Sequence, residues 1–121
     1  MSRDRRRRWR RGRLAEAACA AWLRLKGYRI LARNYRAPVG EIDIVARRGR
    51  TVAVVEVKAR MRLDDAAAAL TPRQQRRIAR ATEHFLGGRS ELAGCWVRFD
   101  VMLVEPWRTP KHIVDAWRPP A

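Results

Sequence analysis

Residues 40–58 read GEIDIVARRGRTVAVVEVK. Glu41 to Arg47 alternates, with Ile42, Ile44 and Ala46 on one face and Glu41, Asp43 and Val45 on the other. That period of two marks a strand. Arg48-Gly49 has the character of a hairpin tip. Thr51 to Lys58 is rich in β-branched residues and almost continuously apolar, as expected of a central strand. With Arg48-Gly49 as a two-residue loop, Asp43 faces Val54 and Glu41 faces Glu56. Asp43 and Glu56 then become diagonal neighbours on one face, ~7–8 Å apart at the backbone. Lys58, two residues beyond Glu56, shares that face.

The flanks place this hairpin in an α/β frame. Leu14, Ala17/Ala18, Ala21/Trp22 and Leu25 recur at helical spacing, and Gly27 follows as a stop signal. Tyr28–Asn34 reads as a strand, and Pro38 with Gly40 marks a turn. Thr71-Pro72 is a helix start, with Thr as N-cap, Pro at the first position and Gln74 placed for a capping box. The helix should run through Ile78, Ala81 and Phe85 until Gly87-Gly88 ends it. Val97–Val104 is a further strand, and Ile113-Val114 begins a short edge strand. The order is helix, three strands, helix, one or two strands, with no internal repeat. It predicts a single α/β domain over residues 13–118, with helices around one mixed sheet. Residues 59–70 fit either a short helix or a loop.

The 121 residues carry 28 Lys+Arg against 12 Asp+Glu, a formal charge of +16. Apolar content of 47% excludes a fully disordered chain. No apolar run reaches the ~18–20 residues needed to span a bilayer, so no membrane partner is expected. Cys19 and Cys95 form no CxxC, which excludes a zinc ribbon and reads as two reduced thiols in the cytoplasm. Such a charge calls for a polyanionic partner, nucleic acid first. Residues 1–13 hold eight arginines and one aspartate. They lack apolar periodicity, so residues 1–12 read as a basic arm, disordered or loosely helical. Glu16 interrupts the apolar stretch behind this head, which argues against a signal peptide. Twenty-five of the cations are arginine, as GC-rich coding would give. Lysine occurs only at positions 26, 58 and 111.

A scarce lysine therefore stands beside clustered acids. Glu56 and Lys58 alone could be a rim ion pair worth ~0–1 kcal/mol. Glu41, Asp43 and Glu56 on one face, however, repel one another and would not gather for stability. A divalent cation relieves that repulsion. Mg²⁺ takes one or two carboxylates, waters and phosphate oxygens. Lys58 would then position the attacking water or stabilise charge on the phosphate. The residue chemistry favours a metal–phosphate site over a rim pair.

Asp43 followed by Glu56-Val57-Lys58 resembles the D…ExK signature of the PD-(D/E)xK nuclease superfamily. GEIDIVA (40–46) with VVEVKAR (54–60) resembles more closely the YraN family of small bacterial endonuclease-like proteins. Gly12-x-x-x-Glu16-x-x-Ala, Gly27-Tyr28, Arg33-Asn34 and Arg98-Phe99-Asp100 extend the resemblance over roughly residues 12–115. It implies a restriction-endonuclease-like three-layer α/β/α fold with a central mixed sheet, akin to Holliday-junction resolvases. It implies Mg²⁺ or Mn²⁺ held by Asp43 and Glu56, with Lys58 positioning water. Glu16 would be the helix carboxylate that resolvase-like members add to the site, and Glu41 belongs to the motif without a settled role. The chain departs from the superfamily pattern at Ile42, where a proline usually precedes the aspartate. It departs again at Gln74, where relatives carry a lysine.

Arg60 and the second-helix residues Arg73, Gln74, Arg76 and Arg77 are candidates for phosphate contacts without base readout. These readings lead to a nucleic-acid-binding, Mg²⁺-dependent endonuclease acting on DNA, favouring branched or structured forms because no base-reading module is present. The alternative is a non-catalytic nucleic-acid-binding protein that retains the fold. Paired cuts need two active sites, so a homodimer is the assembly to test. His84 and His112 lack partners at metal-ligand spacing, and Asp100 is expected to make a structural hydrogen bond, with an arginine as its natural partner.

Overall fold

A computed structural model describes residues 3–59, 70–105 and 108–119, and for residues 3–11 the backbone alone. The elements run α1 (Arg3–Leu25), β1 (Arg29–Ala37), β2 (Gly40–Arg48), β3 (Thr51–Ala59), α2 (Pro72–Gly87), a 3₁₀ turn (Ser90–Leu92), β4 (Trp96–Val104) and β5 (Lys111–Trp117). The strands form one sheet in sequence order, β1-β2-β3-β4-β5. Only β3 and β4 are parallel, as the helical crossover between them requires.

Alternation along β3 builds both layers of core. Val52 and Val54 pack with Ile78, Ala81 and Phe85 of α2. Ala53 and Val55 pack with Cys19, Ala20 and Leu23 of α1. The helices thus cover opposite faces of a mixed sheet, the expected restriction-endonuclease-like α/β/α arrangement. Thr71 caps α2: its hydroxyl accepts the Gln74 N–H at 3.2 Å, and the Gln74 side chain accepts the Thr71 N–H at 2.9 Å.

Four local expectations need correction. The hairpin tip is Gly49-Arg50, because Arg48 pairs with Thr51 and Gly49 takes φ +61, a conformation glycine adopts at no steric cost. The partner positions therefore move by two, which preserves the faces of β3 but changes who stands opposite whom. In β2 the alternation breaks at Asp43, so Ile42 packs on the α2 side while Ile44 and Ala46 pack on the α1 side. Helix α1 starts at Arg3 instead of near Leu14, so the backbone of the arginine head continues the helix. The buried stripe of α1 is Ala15, Glu16, Cys19, Ala20 and Leu23, whereas Leu14 and Leu25 are exposed. Lastly, β5 is a full strand of seven residues.

Gly40 is required by packing. A Cβ there would lie 2.5 Å from the Arg77 carbonyl oxygen, so β2 and α2 touch backbone to backbone. Gly40→Ala is expected to push α2 off the sheet and cost about 1–3 kcal/mol, as overpacking does. Urea denaturation checks this, and an unchanged midpoint would contradict the contact.

Candidate functional site

The site forms where the sheet forks. The β2–β3 ladder ends at the Ile44–Val55 pair. Beyond it, β2 stays paired with β1 as far as Gly40, and β3 stays paired with β4 as far as Ala59. Asp43 sits in the crotch of this fork. One of its oxygens, Oδ2, accepts the Val57 N–H at 2.9 Å, so a side chain replaces the missing ladder bond and is oriented by it.

Two cavities meet at the fork, one on each face of the sheet. The first, about 250 Å³, is lined by Glu16, Asn34, Arg36, Glu41 and Asp43, among others. The second, about 390 Å³, is lined by Asp43, Glu56, Lys58, Gln74, Arg77 and their neighbours. Asp43, Glu41 and Val57 border both.

Glu56 lies on the α2 face of β3 and is only 8% exposed. Burial first, and then the charge of Asp43, push its carboxyl well above the usual glutamate range; Lys58 pulls the other way. The Asp43 carboxyl lies close enough for its charge to act directly on Glu56. The Glu56 Oε1 atom is buried without a partner. A buried polar atom left unsatisfied costs ~1–3 kcal/mol and asks for a ligand or a functional reason.

Glu16 reaches the fork from α1. It is 4% exposed, and its Oε1 accepts from Arg33 Nε at 3.1 Å and Asn34 Nδ2 at 3.0 Å. Burial raises its pKa, Arg33 opposes that, and the nearby Asp43 charge raises it further.

The fork thus joins Asp43, Glu56 and Lys58 as expected, with Glu16 approaching Asp43 from the opposite layer. Glu41 does not stand opposite Glu56. It lies at the rim, largely exposed, 3.7 Å from Arg36. On α2, Arg73, Arg76 and Arg77 are exposed, and Arg77 lines the cavity. Gln74 also lines it, but its carbonyl oxygen is spent on the helix cap. Arg60 lies outside the described residues.

The sequence reading assigned no site role to Arg33, Asn34 and Arg36. Arg33-Asn34 stands in the sequence as part of the family resemblance, and as an adjacent polar pair inside a strand it is a signal of a local role. Asn34 takes φ +51, a left-handed conformation that asparagine tolerates better than most residues.

Among the described residues, no group of three or more His, Cys, Asp or Glu side chains is arranged to hold a metal ion. Two carboxylates with phosphate and water are nevertheless the donor set that Mg²⁺ takes. The orphaned Glu56 Oε1 and the crowding of Asp43 and Glu56 fit such a cation.

No helix among the described residues is long and apolar enough to cross a membrane. Both cysteines are free.

Comparison with known proteins brings the chain to one family. A family model described as "Uncharacterised protein family UPF0102" matches residues 15–104. UPF0102 protein amb4503 of Paramagnetospirillum magneticum is 58% identical over 113 residues, covering 90% of this chain and 88% of its own length. A UPF0102 protein of Parvibaculum lavamentivorans is 56% identical over 111 residues, covering 92% and 84%. UPF0102 protein R00337 of Rhizobium meliloti is 50% identical over 107 residues, covering 88% of each.

Proposed function

The chain belongs to the UPF0102 family, and on the geometry of its forked sheet we propose that it is a nucleic-acid-binding, metal-dependent endonuclease. The observation that carries this reading is the pairing of Asp43 with the buried, unsatisfied Glu56 at the fork. The resemblance to endonuclease-like YraN proteins supports it, as does the excess of basic residues.

In this reading Asp43 and Glu56 hold Mg²⁺ or Mn²⁺. When bound, the cation supplies charge neutralisation at the scissile phosphate and a more acidic water. Asp43 is held in place for that task by the Val57 amide. Lys58 shares the cavity with Glu56. Its ammonium donates a hydrogen bond to the attacking water or to a non-bridging phosphate oxygen, where negative charge grows. Arg77 at the cavity wall and Arg73 and Arg76 on the exposed side of α2 neutralise neighbouring phosphates. These contacts position the backbone without reading bases, so structured DNA is favoured over a defined sequence. A cytoplasmic location and a homodimer making paired cuts belong to the same reading.

The test is a cleavage panel of junctions, flaps, duplex, single strands and RNA with Mg²⁺, Mn²⁺ or chelator. The expected result is cleavage of a structured DNA that stops with chelator. Lys58→Ala should reduce it by ~10²-fold or more, the scale of a positioned proton-transfer or charge-stabilising group. Cleavage that persists unchanged in Lys58→Ala would remove the assignment. Salt-sensitive binding with no metal-dependent cleavage would make the protein a binding module.

A further inference from the structure

We infer that Arg33 and Asn34 are positioning residues that turn the Glu16 carboxylate toward Asp43 across the fork. The inference rests on the endonuclease reading and adds a supporting layer to the same site.

Neighbouring residues of a regular strand point to opposite faces. Tyr35 follows the rule: it packs on the α2 side, its ring 5.1 Å from that of Phe85. Arg33 and Asn34 do not. Both side chains reach Glu16 on α1. The left-handed backbone at Asn34, φ +51, is what brings two consecutive side chains to one face. A non-glycine residue held in that region is strained and is retained where the surroundings gain from it.

Both donors take the same atom. Arg33 Nε and Asn34 Nδ2 each bond Glu16 Oε1, at 3.1 and 3.0 Å. The carboxylate is nearly buried, and these two hydrogen bonds restrict its rotation. Among the described residues, Oε2 receives no donor from this pair, and Glu16 lines the cavity of about 250 Å³ together with Asn34 and Asp43. Arg33 and Asn34 therefore hold the carboxylate by one oxygen, at the edge of a cavity that Arg13 and Asp43 also line. Groups that orient a carboxylate beside a metal or phosphate commonly change affinity or rate ~10–100-fold when removed.

The experiment is a cycle of Asn34→Gly, Glu16→Gln and the double variant. Glycine keeps the positive φ without strain and removes only the amide. In single-turnover cleavage at saturating substrate, Asn34→Gly should be slower by ~10–100-fold with substrate affinity unchanged. In the Glu16→Gln background the same change should slow nothing further, because Asn34 acts through Glu16. Urea unfolding of the metal-free proteins provides a second readout. The unfolding constants should depart from multiplicative behaviour by about twofold or more, as for residues in contact. Multiplicative rate losses, an unaffected rate in Asn34→Gly, or absent coupling in urea would each overturn the inference while leaving the endonuclease reading standing. Absence of cleavage by the wild type would instead remove that reading and this inference with it.

Discussion

Glu56→Gln is expected to melt at a higher temperature than the wild type at pH 8 in chelator, and to cleave at least ~100-fold more slowly. Both effects come from one atom's surroundings. Glu56 is buried beside Asp43, and its folded-state pKa is raised, first by burial and then by that charge. A carboxyl raised in the folded state binds more protons folded than unfolded. Stability is therefore fully present below the ordinary glutamate pKa and falls as pH rises toward the folded value. The glutamine amide of the variant carries no charge and can donate to Asp43, so the variant escapes that fall. The gain should grow as pH rises above the ordinary glutamate range and should vanish near pH 4. The rate loss is larger than the ~10–100-fold seen when supporting groups of a metal site are removed, since Glu56 is proposed to touch the metal. Thermal melts across pH, with cleavage assays beside them, check both halves. A variant that is less stable at every pH would show that the Asp43–Glu56 contact is structural.

Asp100→Ala should be the most destabilising single change in the core. Asp100 is fully buried. It accepts from Arg98 at 2.8 Å on each oxygen, from His112 Nε2 at 2.7 Å and from the Asp115 amide at 2.9 Å. Lys26 Nζ lies 2.6 Å from His112 Nδ1. An ammonium can only donate, so His112 accepts there and gives its Nε2 proton to Asp100. Arg98 also bonds the Tyr28 hydroxyl at 2.6 Å. The network ties the end of α1 to β4 and β5. Removing the carboxylate strands Arg98 and His112, at a cost of about 3–5 kcal/mol out of the ~5–15 kcal/mol typical of a domain.

The pH dependence of this network has the opposite sign to that of Glu56. Burial opposes ionisation of Asp100, but the His112 and Arg98 hydrogen bonds and the Asp115 amide outweigh it and lower its pKa below 3.8. Its contribution is complete above that ordinary value and is lost as pH falls through the lower folded one. The gap between wild type and Asp100→Asn should therefore hold steady from pH 5 to 8 and close below about pH 4. A gap that stays open in acid would contradict the network.

What the sequence disclosed follows from what its patterns encode. The period of two in β3 placed Glu56 and Lys58 on one face correctly even though the hairpin tip was misassigned, because a shift of two preserves every face. Which residue meets Asp43 depended on the turn and on the fork, and neither is written in hydrophobic alternation. Helix α1 misled for a different reason. Its alanines make two faces nearly equally apolar, and Glu16 marked the true inner face as polar. Arg33 and Asn34, on a strand reached later in the chain, help to make that burial tolerable. Gly40 looked like a turn residue, but its role is the close approach of α2. The motif residues were legible by type and spacing. Their supports were not, since a supporting bond depends on a partner distant in sequence. The RFD segment was legible in part: an arginine partner for Asp100 was expected, whereas His112 and Lys26 entered only with the fold.

The central claim is that Asp43 and Glu56 together hold a divalent cation. The most direct measurement is the melting temperature of wild type and Asp43→Asn across a titration of Mn²⁺ and Mg²⁺. A bound ion at free concentration c stabilises the folded state by RT ln(1 + c/Kd), which keeps rising as metal is added. The wild type should rise steadily with metal, and Asp43→Asn should stay flat. A flat wild type, or an equal rise in both, would contradict the account.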